Sequence, residues 1–406
     1  MPPFSQVFAV RGYAALFVAA SLSTWGDYIA RLTIAAVVYE RTASPLATAT
    51  TLAVSLVPSI FGRTLLGPFA DRVPYKYVLI GSHLSRAVMV VVLIWLVGVA
   101  APVPALLVAL FLLEALGGPA AAAQQVLMTD LFADRRVFVG AMGLSALAEQ
   151  VNQALGLAVG GIVVAALGAT RGLALDLVTF VISAAVVTLV IRAHPVAGDP
   201  TPGVLGFFRD LRSAASYVTQ NRILRRLLAL SLVATLGFSA PEAVALPYAG
   251  DAGFGGLLMA SPIAGAAVGV IIVSRWAPQV SNGRIIAMAL AMPVPLLLTV
   301  FEPALPVTMV LWFCAGVLQA FMLPLQSTFA LVTPAARRGT IFGLAGALAV
   351  TAAGASYVVA GWFSELTTAA TAVTMCAIVC LGGIVLLAAR WPRHELDAAV
   401  EVAYAS

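Results

Sequence analysis

GPFADRVPYK, Gly67 to Lys76, sets an aspartate, an arginine, a tyrosine and a lysine beside two prolines in the middle of an otherwise apolar chain. Working outward, the stretch is bounded by a run of apolar residues on each side, each long enough for a helix of about 20 residues, the length a bilayer core requires. It therefore reads as a short polar joint between two membrane spans. The bulk composition agrees: 62% of the 406 residues are hydrophobic, 10% are charged, and the mean hydropathy is +1.03. A soluble domain carries about 25% charge. So few charges cannot cover a water-exposed surface of this size, and lipid must serve as solvent for much of the chain.

Reading apolar runs against their breaks gives twelve spans, near 13–38, 46–70, 77–99, 103–127, 138–167, 171–191, 226–249, 253–274, 283–301, 304–328, 339–362 and 369–390. Proline-containing joints such as Ala43-Ser44-Pro45, Ala101-Pro102-Val103-Pro104 and Glu302-Pro303 mark the turns. MPPFSQVFAVR lacks the pattern of a cleaved signal peptide, so the first span is expected to be retained. With both termini inside, seventeen of the 22 basic residues fall on the inner side and only Arg41 and Arg171 outside. That asymmetry follows the positive-inside rule and predicts a multi-pass protein of the cell (plasma) membrane with cytoplasmic termini. It also accounts for the pI of 9.4 without a nucleic-acid surface.

The one long connection, near 193–222, contains GVLGFFRDLRSAASYVTQNR. Val204, Phe207, Phe208, Leu211, Ala215 and Val218 recur at helical spacing, with Arg209 and Arg212 on the opposite face, so an amphipathic helix on the inner surface is predicted. It separates a six-helix bundle at 1–192 from a second at 223–406. The halves echo each other: Gln124 to Arg136 and Gln326 to Arg338 align at an offset of 202 residues, the mark of an internal repeat.

Gly67, Asp71, Arg72 and Lys76 then match the signature loop of the major facilitator superfamily, in the loop between spans two and three where that family carries it. Thr24 to Ala47 further resembles the drug- and siderophore-exporting branch, with Gly26-Asp27 in span one and Thr42-Ala43-Ser44-Pro45-Leu46 after it. The resemblance implies an all-α membrane protein of twelve transmembrane helices in two pseudo-symmetric six-helix bundles. It also implies a cytoplasmic latch, in which Asp71 bonds the N-terminus of span eleven, near Gly339. Helix N-termini favour such anions. Gly143, Gly156, Gly160 and Gly161 match part of the family's antiporter motif in span five, where Asn152 and Leu157 replace a glycine and a proline. Plain packing through a face of small residues explains the same glycines. The Arg-x-x-Gln-Gly motif is absent from span four, and Glu114 stands near the arginine's place.

Ionisable residues at membrane depth are functional candidates because each is costly there. Asp27 and Arg31 lie four apart in span one, with Ser23 extending the stripe, so a mutually neutralising pair is one reading and a proton site the other. Glu114 and Glu149 have no partner within a helical turn, and an unpaired acid in lipid holds its proton until water reaches it. Asp27, Glu114 and Glu149 are therefore proton-coupling candidates; the alternative for the glutamates is a neutral acid donating a structural hydrogen bond. Arg31, Gln319, Gln326 and Glu242 are candidates for the substrate cavity, with Glu242 between Pro241 and Pro247 in a segment able to bend as an outer gate. Arg63 and Arg86 are expected to snorkel to the inner surface. Cys314, Cys376 and Cys380 lie in apolar stretches suited to packing, and the three histidines are scattered, so neither a metal nor another cofactor is expected. No nucleophile–base arrangement suggests an enzyme.

The resulting expectation is a monomeric secondary transporter, a proton-coupled exporter of small amphiphilic compounds by alternating access. Uptake of a small metabolite by symport, or a non-transporting membrane scaffold or sensor, are the alternatives.

Overall fold

A computed structural model describes residues 7–8, 10, 12–70, 73–132, 135–191, 204–275, 282–334, 337–392 and 396. Every regular element among them is helical. In chain order these are α1 (Tyr13–Thr42), α2 (Pro45–Ala70), α3 (Tyr75–Gly98), α4 (Val103–Ala115 with Gly118–Leu131), α5 (Arg135–Leu167), α6 (Ala169–Val190) and α7 (Val204–Gln220). Then follow α8 (Arg222–Ala249), α9 (Ala252–Ser274), α10 (Asn282–Ala291, Pro293–Leu297 and a 3₁₀ turn to Phe301), α11 (Leu305–Gln319 with Met322–Val332), α12 (Arg338–Leu366) and α13 (Ala369–Ala388). Apart from α7, each helix or broken helix falls on one of the twelve expected spans. Ten of them, α3 to α6 and α8 to α13, are long and apolar enough to cross a membrane among the described residues. α1 is diluted by Asp27, Arg31, Glu40 and Arg41.

The joints have local causes. Ala43, at φ 50°, closes α1 in the left-handed region, and its N–H bonds Tyr39 O. The Ser44 hydroxyl then accepts the Ala47 N–H and caps α2. Gly250 ends α8 at φ 78°, where a side chain would be strained. Asn221 caps α8 by accepting the N–H groups of Ile223 and Leu224, so α7 stops sharply before the next helix begins. Breaks in α4, α10 and α11 fall beside Pro119, Pro293 and Pro324, residues that cannot donate to the preceding turn.

Contacts divide the chain into two compact units. Unit 1 is Met1–Ala43, Val54–Val204 and Asp251–Ala260; unit 2 is Ser44–Ala53, Leu205–Gly250 and Ser261–Ser406. In unit 1, α6 packs on both α1 and α3, and α5 also lies on α1. Tyr13, Leu79, Leu127, Phe132 and Val187 form an apolar cluster at one end. In unit 2, α8 packs on α12 and α13 around Leu227, Leu230, Phe321 and Ile384. α7 buries Ala214 and Val218 in that cluster and leaves Arg209 and Arg212 exposed, so its apolar side faces the core of unit 2. Large apolar side chains stand on the outside, among them Leu189 at 84% and Leu386 at 72% exposure. In water such a surface would aggregate; in lipid it is the solvated face.

Glycines permit the closest helix approaches in each unit. Within unit 2, a Cβ on Gly316 would run into the backbone of Pro262, and one on Gly265 into that of Phe313, so α9 and α11 touch backbone to backbone. Within unit 1, Gly161 of α5 meets Ala252, Gly253 and Gly256 at the start of α9. Gly156 lies against Trp25 and Tyr28, and Gly160 against Ile29, both on α1, whereas Gly143 faces open space. Three of the four motif glycines thus serve close packing.

Candidate functional site

The charged residues of unit 1 converge where α1, α3, α4 and α6 meet. Ser23, Asp27 and Arg31 form one stripe on α1, as their spacing predicts, but Asp27 and Arg31 do not pair with each other. Arg31 reaches across to α4, where Nε donates to Glu114 Oε1 at 2.5 Å and a terminal nitrogen to Oε2 at 2.8 Å. This two-point fork suits guanidinium and carboxylate geometry. The Tyr28 ring lies 5.1 Å from the same guanidinium. Glu114, expected to be unpaired, is therefore engaged by a residue 83 positions away. The sequence gap concealed the pair, and helix packing supplies it.

Asp27 is bonded instead to Arg86 of α3. Arg86 does not snorkel: it is 4% exposed, and every nitrogen of its guanidinium has a partner. Nε donates to Leu113 O at 3.2 Å, Nη1 to Ser23 Oγ at 3.4 Å and Nη2 to Asp27, while the guanidinium lies 4.4 Å from the Phe180 ring centroid. Snorkelling fails because α3 is covered here by α4 and α6, while α1 offers the guanidinium Ser23 and Asp27. The carbonyl comes from the break in α4. At Leu116-Gly117-Gly118-Pro119 the chain tightens, Gly117 N–H bonds Glu114 O at 3.0 Å, and Leu113 O is left for the arginine. Gly117 also lets the guanidinium approach, since a Cβ there would stand 3.3 Å from Arg86 Cζ. Ser82 takes a second carbonyl of the same break, donating to Leu116 O at 2.5 Å.

Two buried groups complete the cluster, and the sequence reading passed over both. Asp176 of α6 is 0% exposed; its Oδ1 receives only a long bond from Thr179 Oγ1, 3.4 Å, and its Oδ2 has no partner. Asp176 rests against Gly26, where a Cβ would overlap Oδ1 and Thr179 Oγ1. His83, one turn before Arg86, is 5% exposed with Nδ1 unpartnered. The signal for Asp176 was available: it is the sole acidic residue of span six.

A cavity of about 410 Å³ opens onto this cluster, lined by Ser23, Asp27, His83 and Arg86 together with Gln124 and Glu149. Glu149 is exposed on its wall and has Asp27 as a fellow lining residue. Asn152, which replaces a motif glycine, ties α5 to α1: it donates to Ser21 Oγ and accepts from Trp25 Nε1, both at 2.9 Å.

The remaining candidates lie elsewhere. Gln319, Gln326 and Glu242 belong to unit 2. Gln319 is half-buried with Oε1 unpartnered, Gln326 is exposed, and Glu242 is half-buried in α8, which continues as helix through Pro241 and Pro247. Lys76 donates to Thr188 O at 2.8 Å. Gly67 lies in α2, and Asp71 and Arg72 fall outside the described residues. Among the described residues no group of three or more His, Cys, Asp and Glu side chains could hold a metal.

Apolar helices long enough to cross a membrane, packed around a charged cavity, are an arrangement that a solute carrier uses. Residues 16–301 match the profile of the Major Facilitator Superfamily, and the chain belongs to that family. Its fold is similar to that of a single-site mutant of the nucleoside transporter NupG (TM-score 0.72, 13% identity, 93% of this chain and 99% of the other). It is also similar to a bacterial homolog of the human lysosomal transporter Spinster, in an inward-facing, unoccupied conformation (TM-score 0.60, 16% identity, 96% of each chain). Comparison with curated proteins gave no match.

Proposed function

We propose that this transporter is a proton-coupled exporter of small amphiphilic compounds, neutral or cationic, working by alternating access as a monomer in the cell membrane with both termini cytoplasmic. The observation that carries the reading is the pair of arginine–carboxylate bonds, Asp27–Arg86 and Glu114–Arg31, beside a cavity onto which Asp27 opens. Protonating either acid releases its arginine, and a cationic compound competes for the same carboxylates. Proton and cargo therefore exclude each other, which is the requirement of antiport. Membership of the family supports transport in general, and the resemblance of Thr24–Ala47 to drug and siderophore exporters supports the direction. Glu149 is a further acid on the cavity wall; Gln319, Gln326 and Glu242 remain candidates for cargo contact, and Gly67, Asp71, Arg72 and Lys76 for a cytoplasmic latch.

The test is accumulation of a compound panel in a host stripped of its own pumps, with and without a pH gradient. Export predicts lower intracellular levels that rise when the gradient is collapsed, and Asp27→Asn or Glu114→Gln should remove the gradient dependence. Gradient-driven uptake by the wild type would instead establish symport, and no movement of any compound would leave a scaffold or sensor.

A further inference from the structure

The charges of the unit 1 core do not balance. Three acids, Asp27, Glu114 and Asp176, face two arginines, Arg31 and Arg86, and both arginines are already bonded to the first two acids. Fully ionised, the cluster would carry one uncompensated negative charge in a site where Asp176 is 0% exposed and its Oδ2 meets no donor. An isolated buried carboxylate is too costly to persist. One proton cancels the excess.

We propose that this proton resides on Asp176 and that Asp176 is a protonation site of the transporter, exchanging its proton with Asp27 as Arg86 changes partner. The charged and titratable groups around it are Asp27, Tyr28 and Arg31 on α1, His83 and Arg86 on α3, and Glu114 on α4. α5 contributes Glu149, which is exposed on the cavity wall. Of these, Asp27 and Glu114 are each held as carboxylates by an arginine, which leaves His83 as the unpaired competitor for the proton in this arrangement. It lies three residues from Arg86 on the same helical face, and a second cation there would be repelled by the guanidinium. The guanidinium disfavours a proton on Asp176 as well, but there the neighbouring carboxylates of Asp27 and Glu114 offset it.

The geometry also supplies the exchange. Arg86 stacks on Phe180, one helical turn beyond Asp176, so the guanidinium already lies along the face of α6 that carries this acid. Asp27 is the neighbour in sequence of Gly26, on which Asp176 rests. When the guanidinium moves from Asp27 to Asp176, the O–H bond of Asp176 breaks and its proton passes to Asp27, directly or through a water of the cavity. One arginine then still faces one carboxylate and one neutral acid, so net charge is unchanged and no further reactant is needed. Asp27 lines the cavity and can give the proton to water. Asp176 thus stores the proton out of solvent, and Asp27 is its outlet. That transport role rests on the proton-coupled reading above, whereas the location of the proton does not.

Infrared spectroscopy of the full-length protein in lipid, at neutral pH, tests the location. The wild-type minus Asp176→Asn difference spectrum should contain the C=O stretch of a protonated carboxylic acid. A carboxylate band in its place, or no acid band, overturns the proposal and puts the proton on another group of the cluster. Thr179→Val, which removes the weak donor to Oδ1, should shift the same band without abolishing it. This second variant keeps the test decisive where Asp176→Asn fails to fold, since an unshifted spectrum also overturns the assignment. The role is then read in proteoliposomes, with ethidium as the first probe. Asp176→Asn should lower pH-gradient-driven accumulation to the passive level and remove its dependence on external pH, while the dye still equilibrates downhill. Full gradient-driven accumulation by Asp176→Asn removes the carrier role. If the acid band is confirmed but the wild type moves no compound against its gradient, the coupled-transport reading falls and the protonation site stands.

Discussion

Replacing Arg86 by lysine separates a buried structural guanidinium from a snorkelling cation. A lysine keeps the positive charge and can still reach Asp27, but it has a single nitrogen where arginine uses three. The Leu113 carbonyl, now served by Arg86 Nε at 3.2 Å, would be left without a partner, a loss of about 1–3 kcal/mol for a buried acceptor. Stacking on Phe180 at 4.4 Å would be forfeited as well, roughly 0.5–2 kcal/mol more. Lysine's stronger hydration adds to the cost of holding it in a dry site. Arg86→Lys should therefore destabilise unit 1 by about 1.5–5 kcal/mol despite conserving charge, the sum of those two losses. Thermal unfolding in detergent, followed by tryptophan fluorescence at one fixed scan rate, measures it as an ordering of midpoints, since membrane-protein unfolding is commonly irreversible. The order expected is wild type above Phe180→Leu, then Arg86→Lys, then Arg86→Gln, which also strands Asp27. An Arg86→Lys midpoint equal to the wild type would refute the argument, because a side chain reaching the membrane surface tolerates that exchange.

Other substitutions probe neighbouring contacts. Glu114→Gln should unfold at lower temperature than the double variant Arg31→Gln/Glu114→Gln, because breaking one side of a buried pair costs about 3–5 kcal/mol while removing both leaves no lone charge; an additive double variant would show that the pair is not coupled. Gly26→Ala forces a methyl onto Asp176 and Thr179 and should cost about 1–3 kcal/mol of overpacking, read as a lowered midpoint, whereas Gly143→Ala, in open space, should leave it unchanged. Asn152→Leu strands the Trp25 N–H and the Ser21 hydroxyl, so the tryptophan emission spectrum should change; an unchanged spectrum would show that the bond does not fix Trp25. For topology, single cysteines placed at Pro102 and Glu302 in a cysteine-less background should react with an impermeant reagent from outside, and those at Lys76 and Arg338 only after permeabilisation; outside labelling of the second pair would overturn the orientation.

What could be read from the chain and what could not follow from the range of the forces involved. The helices were legible because apolar runs and proline-containing joints act locally: Ala43-Ser44-Pro45 ends one helix and caps the next within three residues. α7 was legible for the same reason, its two faces repeating every turn. Partners of the charged residues were not, since spacing reports only neighbours on one helix. Asp27 and Arg31 share a face, yet each bonds a different helix, 59 and 83 residues away. Arg86 was misread because its place along α3 gave no hint that α4 would break beside it and offer a carbonyl. Asp176 was missed altogether: the apolar residues around it dominated the reading of span six. The family's signature loop led to the right superfamily, although Asp71 and Arg72 themselves lie outside the described residues.

The tight turn in α4 has a consequence for how motion and charge are linked. Gly117 N–H bonds Glu114 O, three residues back, and only for that reason is Leu113 O open to Arg86. If the turn relaxed to regular α-helical pairing, Gly117 N–H would reclaim Leu113 O, its partner four residues back. The guanidinium would lose one of its three anchors at that moment. A small change of pitch at residues 113–117 is therefore equivalent to loosening Arg86, and a force that bends or straightens α4 is felt by Asp27 through that guanidinium.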